Sequence, residues 1–190
     1  MLDSLKKELF KEKSFKNIHW RVFKKHIDVV EFDKDAIISQ NNKIENYLYY
    51  ILKGGCRVYY ERPDKDINIL FRFENQFISA YTSFLTREPS KQSIQALEKM
   101  LAVRINYESA LLLSKYRVGE KIFRKNAEEL FVLKEQREES LLMETPDEKY
   151  QNLMIKHKDW FLRVPQHYIA SYLGMSPETL SRVKKRNLIS

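Results

Sequence analysis

The sequence predicts an α+β chain: a small antiparallel β barrel or sandwich, then one long helix, then a compact helical end. Three observations predict it. Short β-rich runs separated by turn formers fill the stretch from Val29 to Ile105. No proline interrupts Tyr107 to Thr145, where the β signal gives way to a helical one. Residues 146–190 then carry an apolar face and a helix, turn, helix pattern.

Each element follows from its residues. Leu2, Leu5, Leu9, Phe10, Ile18, Trp20, Val22, Phe23 and Ile27 recur at helical spacing between lysines, which predicts short amphipathic helices. The β-rich runs are Val29–Phe32, Ala36–Ser39, Tyr47–Leu52, Cys56–Tyr60, Ile67–Phe73, Gln92–Leu97 and Met100–Ile105. Asp-Lys-Asp, Asn-Asn, Gly-Gly and Pro-Asp separate them, and seven strands at that spacing suit a small closed or two-layered antiparallel fold.

Beyond Asn106 the helical stretch is expected to break near Gly119. Its longer part, Glu120 to Met143, would run about 36 Å at 1.5 Å per residue, and a soluble helix of that length needs a partner. Phe123, Ala127, Leu130, Lys134, Arg137 and Leu141 fall at 4-3-4-3-4 spacing, close to a heptad seam with two basic interruptions. The seam suits pairing with a second copy of the chain; the alternative packs it on its own β domain. Pro146 opens a second helical stretch whose Leu153, Met154, Trp160 and Phe161 give a small C-terminal domain its apolar face. The expected divisions are 1–115, 116–145 and 146–190.

Charge narrows the partners. The 34 Lys and Arg outnumber the 26 Asp and Glu to leave +8, and residues 156–190 alone hold seven basic residues against Asp159 and Glu178, a local +5. Such one-ended concentration is expected of a phosphate-contacting surface. A single cysteine, Cys56, leaves no pair for an internal disulfide and too few thiols for a four-cysteine zinc site or a cysteine-ligated iron–sulfur cluster. The four histidines, His19, His26, His157 and His167, read as surface or core residues, so no metal and no cofactor is expected. No apolar run reaches the length of a membrane span, and the opening MLDSLKKELFKEK lacks the apolar core of a signal peptide, so a cytoplasmic protein without membrane contact is expected.

The most specific local signal is Gln166 to Lys185, QHYIASYLGMSPETLSRVKK. As helix, turn, helix it puts small Ala170 where two helices approach and Gly174 where the chain turns with positive φ. Ile169, Leu173, Met175, Leu180 and Val183 take the positions that must be apolar, with Ser176 as N-cap and Pro177 first in the helix. Glu178, Ser181, Arg182 and Lys185 then share the outer face, beside Thr179, Lys184 and Arg186. Arginine bonds bidentately to guanine and glutamate accepts from cytosine, so Arg182 and Glu178 are natural readers of base edges in a major groove. The bland alternative is a surface i, i+4 ion pair between them.

SPETLSRVKKR, preceded by a β domain and a long helix, resembles the Crp/Fnr superfamily of bacterial regulators, and the resemblance spans nearly the whole chain. It implies an antiparallel, cyclic-nucleotide-binding-like β-roll followed by a long dimerisation helix and a small helix-turn-helix domain. Lys53-Gly54-Gly55-Cys56-Arg57-Val58 is similar to the glycine turn between two roll strands. Double-stranded DNA as partner, a homodimer, and RNA polymerase as a further partner are what the resemblance implies.

The departures from the family concern its effector. Members that bind cyclic AMP carry Gly-Glu and, about ten residues on, Arg-Ser or Arg-Thr; here Ser79 and Ala80 replace the first pair, and Lys91 and Gln92 the second. The ribose acceptor is gone, and lysine offers a point charge where the family has a fork. Cyclic AMP is therefore not the expected effector. Ser79, Ala80, Tyr81, Lys91, Gln92 and Ser93 mark the corresponding pocket, and with Phe77 and Phe84 nearby it suits something less charged, or no small molecule at all. The sequence ends at Asn187-Leu188-Ile189-Ser190, where the family continues into a wing hairpin, so either the chain is cut there or this branch lacks the wing.

The expected function is sequence-specific DNA binding by a transcriptional regulator. The competing reading is a ligand-binding or protein-interaction module with a degenerate helix-turn-helix. No catalytic residues are expected, since no nucleophile–base pair, carboxylate pair or phosphate loop stands where it would assemble a site.

Overall fold

The computed structural model describes residues 2–10 and 16–189; the side chains of Ser4, Glu8, Leu9, Phe10, Ile18, Val118, Leu188 and Ile189 lie outside that description. Two short helices, α1 (Asp3–Phe10) and α2 (Asn17–Lys24), precede eight strands: β1 (Asp28–Phe32), β2 (Ile37–Ser39), β3 (Tyr47–Lys53), β4 (Cys56–Glu61), β5 (Asp66–Arg72), β6 (Phe77–Ile78), β7 (Ser93–Ala96) and β8 (Met100–Asn106). They form two four-stranded antiparallel sheets, ordered β1-β8-β3-β6 and β2-β7-β4-β5, that close into a roll. All seven expected runs are strands. β6 is the addition, and its two residues are too few to carry a period.

Alternation explains the core. Tyr49 and Ile51 of β3, Cys56 and Val58 of β4, Ile94 and Ala96 of β7, and Met100 and Ala102 of β8 point inward and meet between the sheets. The other face of β3 is buried too: Tyr50 packs with Leu5, Trp20 and Phe23 of the N-terminal helices, and Leu48 with Phe84 and Leu113. Burial on both faces is why Tyr47 to Leu52 reads as an unbroken apolar run. Gly54 makes the β3–β4 turn at φ +87°, where any Cβ would sit 2.5 Å from the Lys99 carbonyl oxygen.

After the short α3 (Tyr81–Thr86) and β7–β8 come α4 (Tyr107–Ser114) and the long α5 (Arg117–Met143), 27 residues and about 40 Å. The break falls at Lys115 and Tyr116, ahead of the expected Gly119. Gly119 instead allows a close approach. It lies in the first turn of α5 against the end of α4, where a Cβ would come within 2.0 Å of the Leu113 carbonyl oxygen. Four helices complete the chain, α6 (Pro146–His157), α7 (Trp160–Arg163), α8 (Gln166–Tyr172) and α9 (Pro177–Ile189). Thr145 caps α6 reciprocally with Glu148, and Pro146 occupies the first position, so the long helix stops and a new one starts within three residues.

These last helices pack on the roll. β5 turns Phe71 and Phe73 outward onto Trp160 and Tyr172, joining one buried cluster with Leu153, Ile169, Leu173, Leu180 and Val183. Polar contacts reinforce it. The Ser171 hydroxyl accepts from the Asn68 N–H at 3.0 Å and donates to the Asp66 carbonyl at 3.0 Å, tying α8 to the edge strand β5. The buried Arg57 guanidinium lies between the rings of Tyr59 and Tyr168, 3.9 and 4.0 Å from their centres, and donates to Asp66 at 2.8 Å.

Candidate nucleic-acid interface

The turn between α8 and α9 is built from its residues as the spacing requires. Ile169 and Ala170 are wholly buried, Gly174 takes φ +70°, and the Met175 N–H donates back to the Ala170 carbonyl at 3.0 Å. Ser176 Oγ accepts from the Thr179 N–H at 3.2 Å, capping α9, with Pro177 first in the helix. Leu180 and Val183 are 1% and 0% exposed, so the phase of α9 is pinned by burial.

That phase turns Ser176, Glu178, Ser181, Arg182 and Lys185 to solvent, with Thr179 and Lys184 half-exposed at the margins. A hydrogen bond from Ser176, then the backbone N–H of the first turn, holds the Glu178 carboxyl below its usual range, with Arg182 adding to it. Glu178 is thus an ionised acceptor at the start of the helix. Among the described residues no close ion pair or side-chain hydrogen bond engages the Arg182 guanidinium, which acts on Glu178 only through longer-range attraction. Arg186, expected on the same face, differs. Its guanidinium donates through Nε and Nη2 to both carboxylate oxygens of Asp147 in the acidic first turn of α6, which runs alongside. The exposed basic side chains of this face that Asp147 does not hold are therefore Arg182 and Lys185.

The six residues of the expected effector pocket do not converge. Ser79 Oγ donates to the Tyr47 carbonyl at 2.9 Å, Ala80 is buried at the start of α3, and Tyr81 stacks on Phe84. Ser79 and Tyr81 face a space of about 10 Å³ closed by Asn126 and Leu130, scarcely room for one water. Lys91 points to solvent, and Ser93 is buried between the Asn41 N–H and Glu61. Only Gln92, whose amide donates to the Tyr60 hydroxyl at 3.0 Å, reaches a real cavity, one of about 500 Å³ between β4, β5, α5 and the last helices.

The seam residues of α5 are used within the chain. Phe123 packs with Leu48, Phe84 and Leu113, Leu130 lines the cavity, Leu141 abuts Gly174, and Ala127 is half-buried. The exposed apolar side chains of α5 are Phe131, Val132, Leu142 and Met143, adjacent to the expected stripe. Sequence reasoning passed over Arg72, and it named Arg57 only within the glycine-turn segment and Arg137 only as a basic interruption of the α5 seam. Arg72 had a signal: it sits two residues after Leu70, on the inward phase of an otherwise apolar strand. Arg137 had one as well, a basic residue on an apolar seam, whereas Arg57 had none.

Among the described residues no three His, Cys, Asp or Glu side chains gather to hold a metal, and no helix is long and apolar enough to cross a membrane.

Residues 29–115 match the family model of the cyclic nucleotide-binding domain. No curated protein matches the chain by sequence. Solved structures do match in fold. FixK2 from Bradyrhizobium japonicum superposes with a TM-score of 0.72 at 18% identity, covering 84% of this chain and 83% of its own. CLP, the c-di-GMP-responsive global regulator of Xanthomonas campestris, gives 0.70 at 14% identity over 90% of each chain. A chain from Eubacterium rectale assigned to the Crp/Fnr family of transcriptional regulators gives 0.69 at 13% identity, over 93% of this chain and 85% of that one.

Proposed function

With residues 29–115 forming a domain of the cyclic nucleotide-binding family inside a Crp/Fnr-type fold, we propose that the chain is a sequence-specific DNA-binding transcriptional regulator working as a homodimer. One observation carries the reading: α8 takes the docking contacts to the roll, and the α9 face bearing Glu178, Ser181, Arg182 and Lys185 is left free and rigidly phased. A helix so held is what a major groove accepts, its N-terminal residues on base edges and its lysines on phosphates. The Phe131, Val132 and Leu142 face of α5 supplies the dimer contact, which pairs two half-sites one helical turn apart.

Cyclic AMP is not the effector on this reading. The Ser79 hydroxyl is engaged by Tyr47, Lys91 faces away, and the space beside Ser79 is filled.

The test is to select duplexes from a random pool with the full chain, then titrate the selected and a scrambled duplex at several salt concentrations. Preference for the selected duplex, with log affinity falling linearly in log salt, is expected. Failure to bind either duplex at low salt favours an interaction module whose helix-turn-helix no longer reads DNA.

A further inference from the structure

Where α2 meets the start of the long helix, a groove of about 100 Å³ opens to solvent between Val22 and Phe23 of α2, Leu113 of α4, Tyr116 of the α4–α5 break, and Ile122 and Phe123 of α5. Its rim is apolar too. Val22 is 38% exposed and Tyr116 56%, with Leu112, 41% exposed, one turn before Tyr116. Large apolar side chains in solvent beside an apolar groove are unfavourable until something covers them. We propose that this end of the chain is a peripheral contact for an anionic lipid surface, in which acyl chain ends enter the groove and the surrounding basic side chains meet the headgroups.

Charge selects the occupant. Residues 1–26 hold eight basic side chains against Asp3, Glu8 and Glu12. On α2 the exposed Arg21 and Lys25 flank Val22, and at the helix break the exposed Lys115 and Arg117 stand on either side of Tyr116. Val22 and Tyr116 wall one groove, so the four cations lie at the same end of the molecule. Neighbouring carboxylates already have partners: Glu120 pairs with Arg124 at 3.2 Å, and Asp28 faces Arg104 at 3.6 Å. Glu108, exposed one turn before Leu112, is a carboxylate that opposes them.

These residues suit a lipid surface better than nucleic acid. A duplex rewards the cations but offers nothing to exposed Val22, Leu112 and Tyr116. A bilayer takes apolar side chains into its acyl boundary, holds tyrosine at headgroup level and, when anionic, attracts lysine and arginine. The expectation of no membrane contact rested on the lack of a span and of a signal peptide, and a peripheral contact needs neither. None of these residues belongs to the α9 face, so the contact does not rest on the regulator reading.

Flotation of the full chain with vesicles tests it, using phosphatidylcholine alone and phosphatidylcholine mixed in equal parts with phosphatidylglycerol. Binding to the mixed vesicles is expected, at least about tenfold tighter than to the neutral ones. Val22→Ser combined with Tyr116→Ser, both at exposed positions, should weaken it about tenfold with unchanged melting. Arg21→Gln combined with Lys25→Gln should cost about fivefold per charge. Arg182→Ala combined with Lys185→Ala should leave vesicle binding intact, which separates this surface from α9. Equal binding to both vesicles, no flotation with either, or loss through the α9 variant in place of the Val22 and Tyr116 variant would each overturn the proposal. A fall in the mass of the Val22 and Tyr116 variant by lipid-free light scattering would do so too, by giving the groove to a second copy of the chain. An equal loss of duplex binding in that variant would give the patch to nucleic acid instead.

Discussion

Arg163 of α7 grips Glu74, 89 residues earlier in the loop after β5, with two parallel hydrogen bonds, Nη1 to Oε2 at 2.8 Å and Nη2 to Oε1 at 2.9 Å. The same guanidinium reaches Glu98 and lies 4.2 Å over the Phe73 ring. A fork of this kind fixes orientation as well as adding energy, so it registers the last helices against the roll.

Arg163→Met should therefore loosen the C-terminal unit, destabilising it by about 1 kcal/mol given partial exposure. Urea denaturation followed by the fluorescence of Trp160, which lies against Phe71 and Phe73, measures it. A transition identical to wild type would mean that the fork adds nothing to docking.

Acid should act on the same contact. Burial works against the charge on Glu74, but hydrogen bonds from Arg163 and from backbone N–H groups outweigh it and hold the carboxyl below its ordinary 4.5. A carboxyl depressed in the fold stabilises fully above the ordinary value and loses its contribution as pH falls through the lower folded value. Loosening of the C-terminal unit should begin below about pH 4.5, and the Arg163→Met protein should lack that step. Equal acid profiles for the two proteins would remove Glu74 from the account.

Two glycines should rank in an order that φ alone does not predict. Gly174 has φ +70°, and alanine there meets only the flexible end of Leu141 at 2.9 Å; a cost of about 1 to 2 kcal/mol is expected. At Gly119, alanine would press on a backbone carbonyl at 2.0 Å, which cannot give way without separating α4 from α5. That change should cost more than about 3 kcal/mol. Thermal or urea unfolding decides it, and a Gly119→Ala protein as stable as Gly174→Ala would refute the close approach.

On α9 the basic residues should separate by role. Arg182→Ala is expected to cost about 1 to 3 kcal/mol per half-site and relax sequence preference, while Lys185→Ala should weaken all duplexes alike and lower the salt slope by about one. Arg186→Ala should shift stability instead, because Asp147 already holds that guanidinium. Titrations at several salt concentrations, paired with melting curves, distinguish the three. Equal losses on selected and scrambled duplexes for Arg182→Ala would reduce it to a backbone contact.

The proposed dimer contact has its own test. Phe131→Asp and Leu142→Asp should yield monomers by light scattering with the fold intact, whereas Leu130→Asp should disturb the chain's own cavity wall. Unchanged mass in the first two variants would move the interface off this face of α5.

Much of this architecture was legible in the residues because it depends on local period and chemistry. The β-rich runs between turn formers marked the strands that carry Tyr49, Ile51, Val58 and Ile94, and the Ser176-Pro177 cap with Gly174 marked the α8–α9 turn. Places where the reading stopped short share a cause. β6 has two residues, so no period exists to detect. The stripe from Phe123 to Leu141 has the same heptad spacing whether it meets a second chain or its own roll.

The amino-acid sequence by itself determined the strands, the long helix, and which side chains of α9 face inward, because burial of Leu180 and Val183 leaves Glu178, Ser181, Arg182 and Lys185 one face to occupy. Only the tertiary structure decided which charges are already paired and which are left with unmet donors. Asp147 and Arg186 stand 39 residues apart, and Arg72 and Glu129 57 apart. Arg72 of β5 and Arg137 of α5 line one cavity. Such meetings depend on how distant elements pack, and no local pattern encodes them.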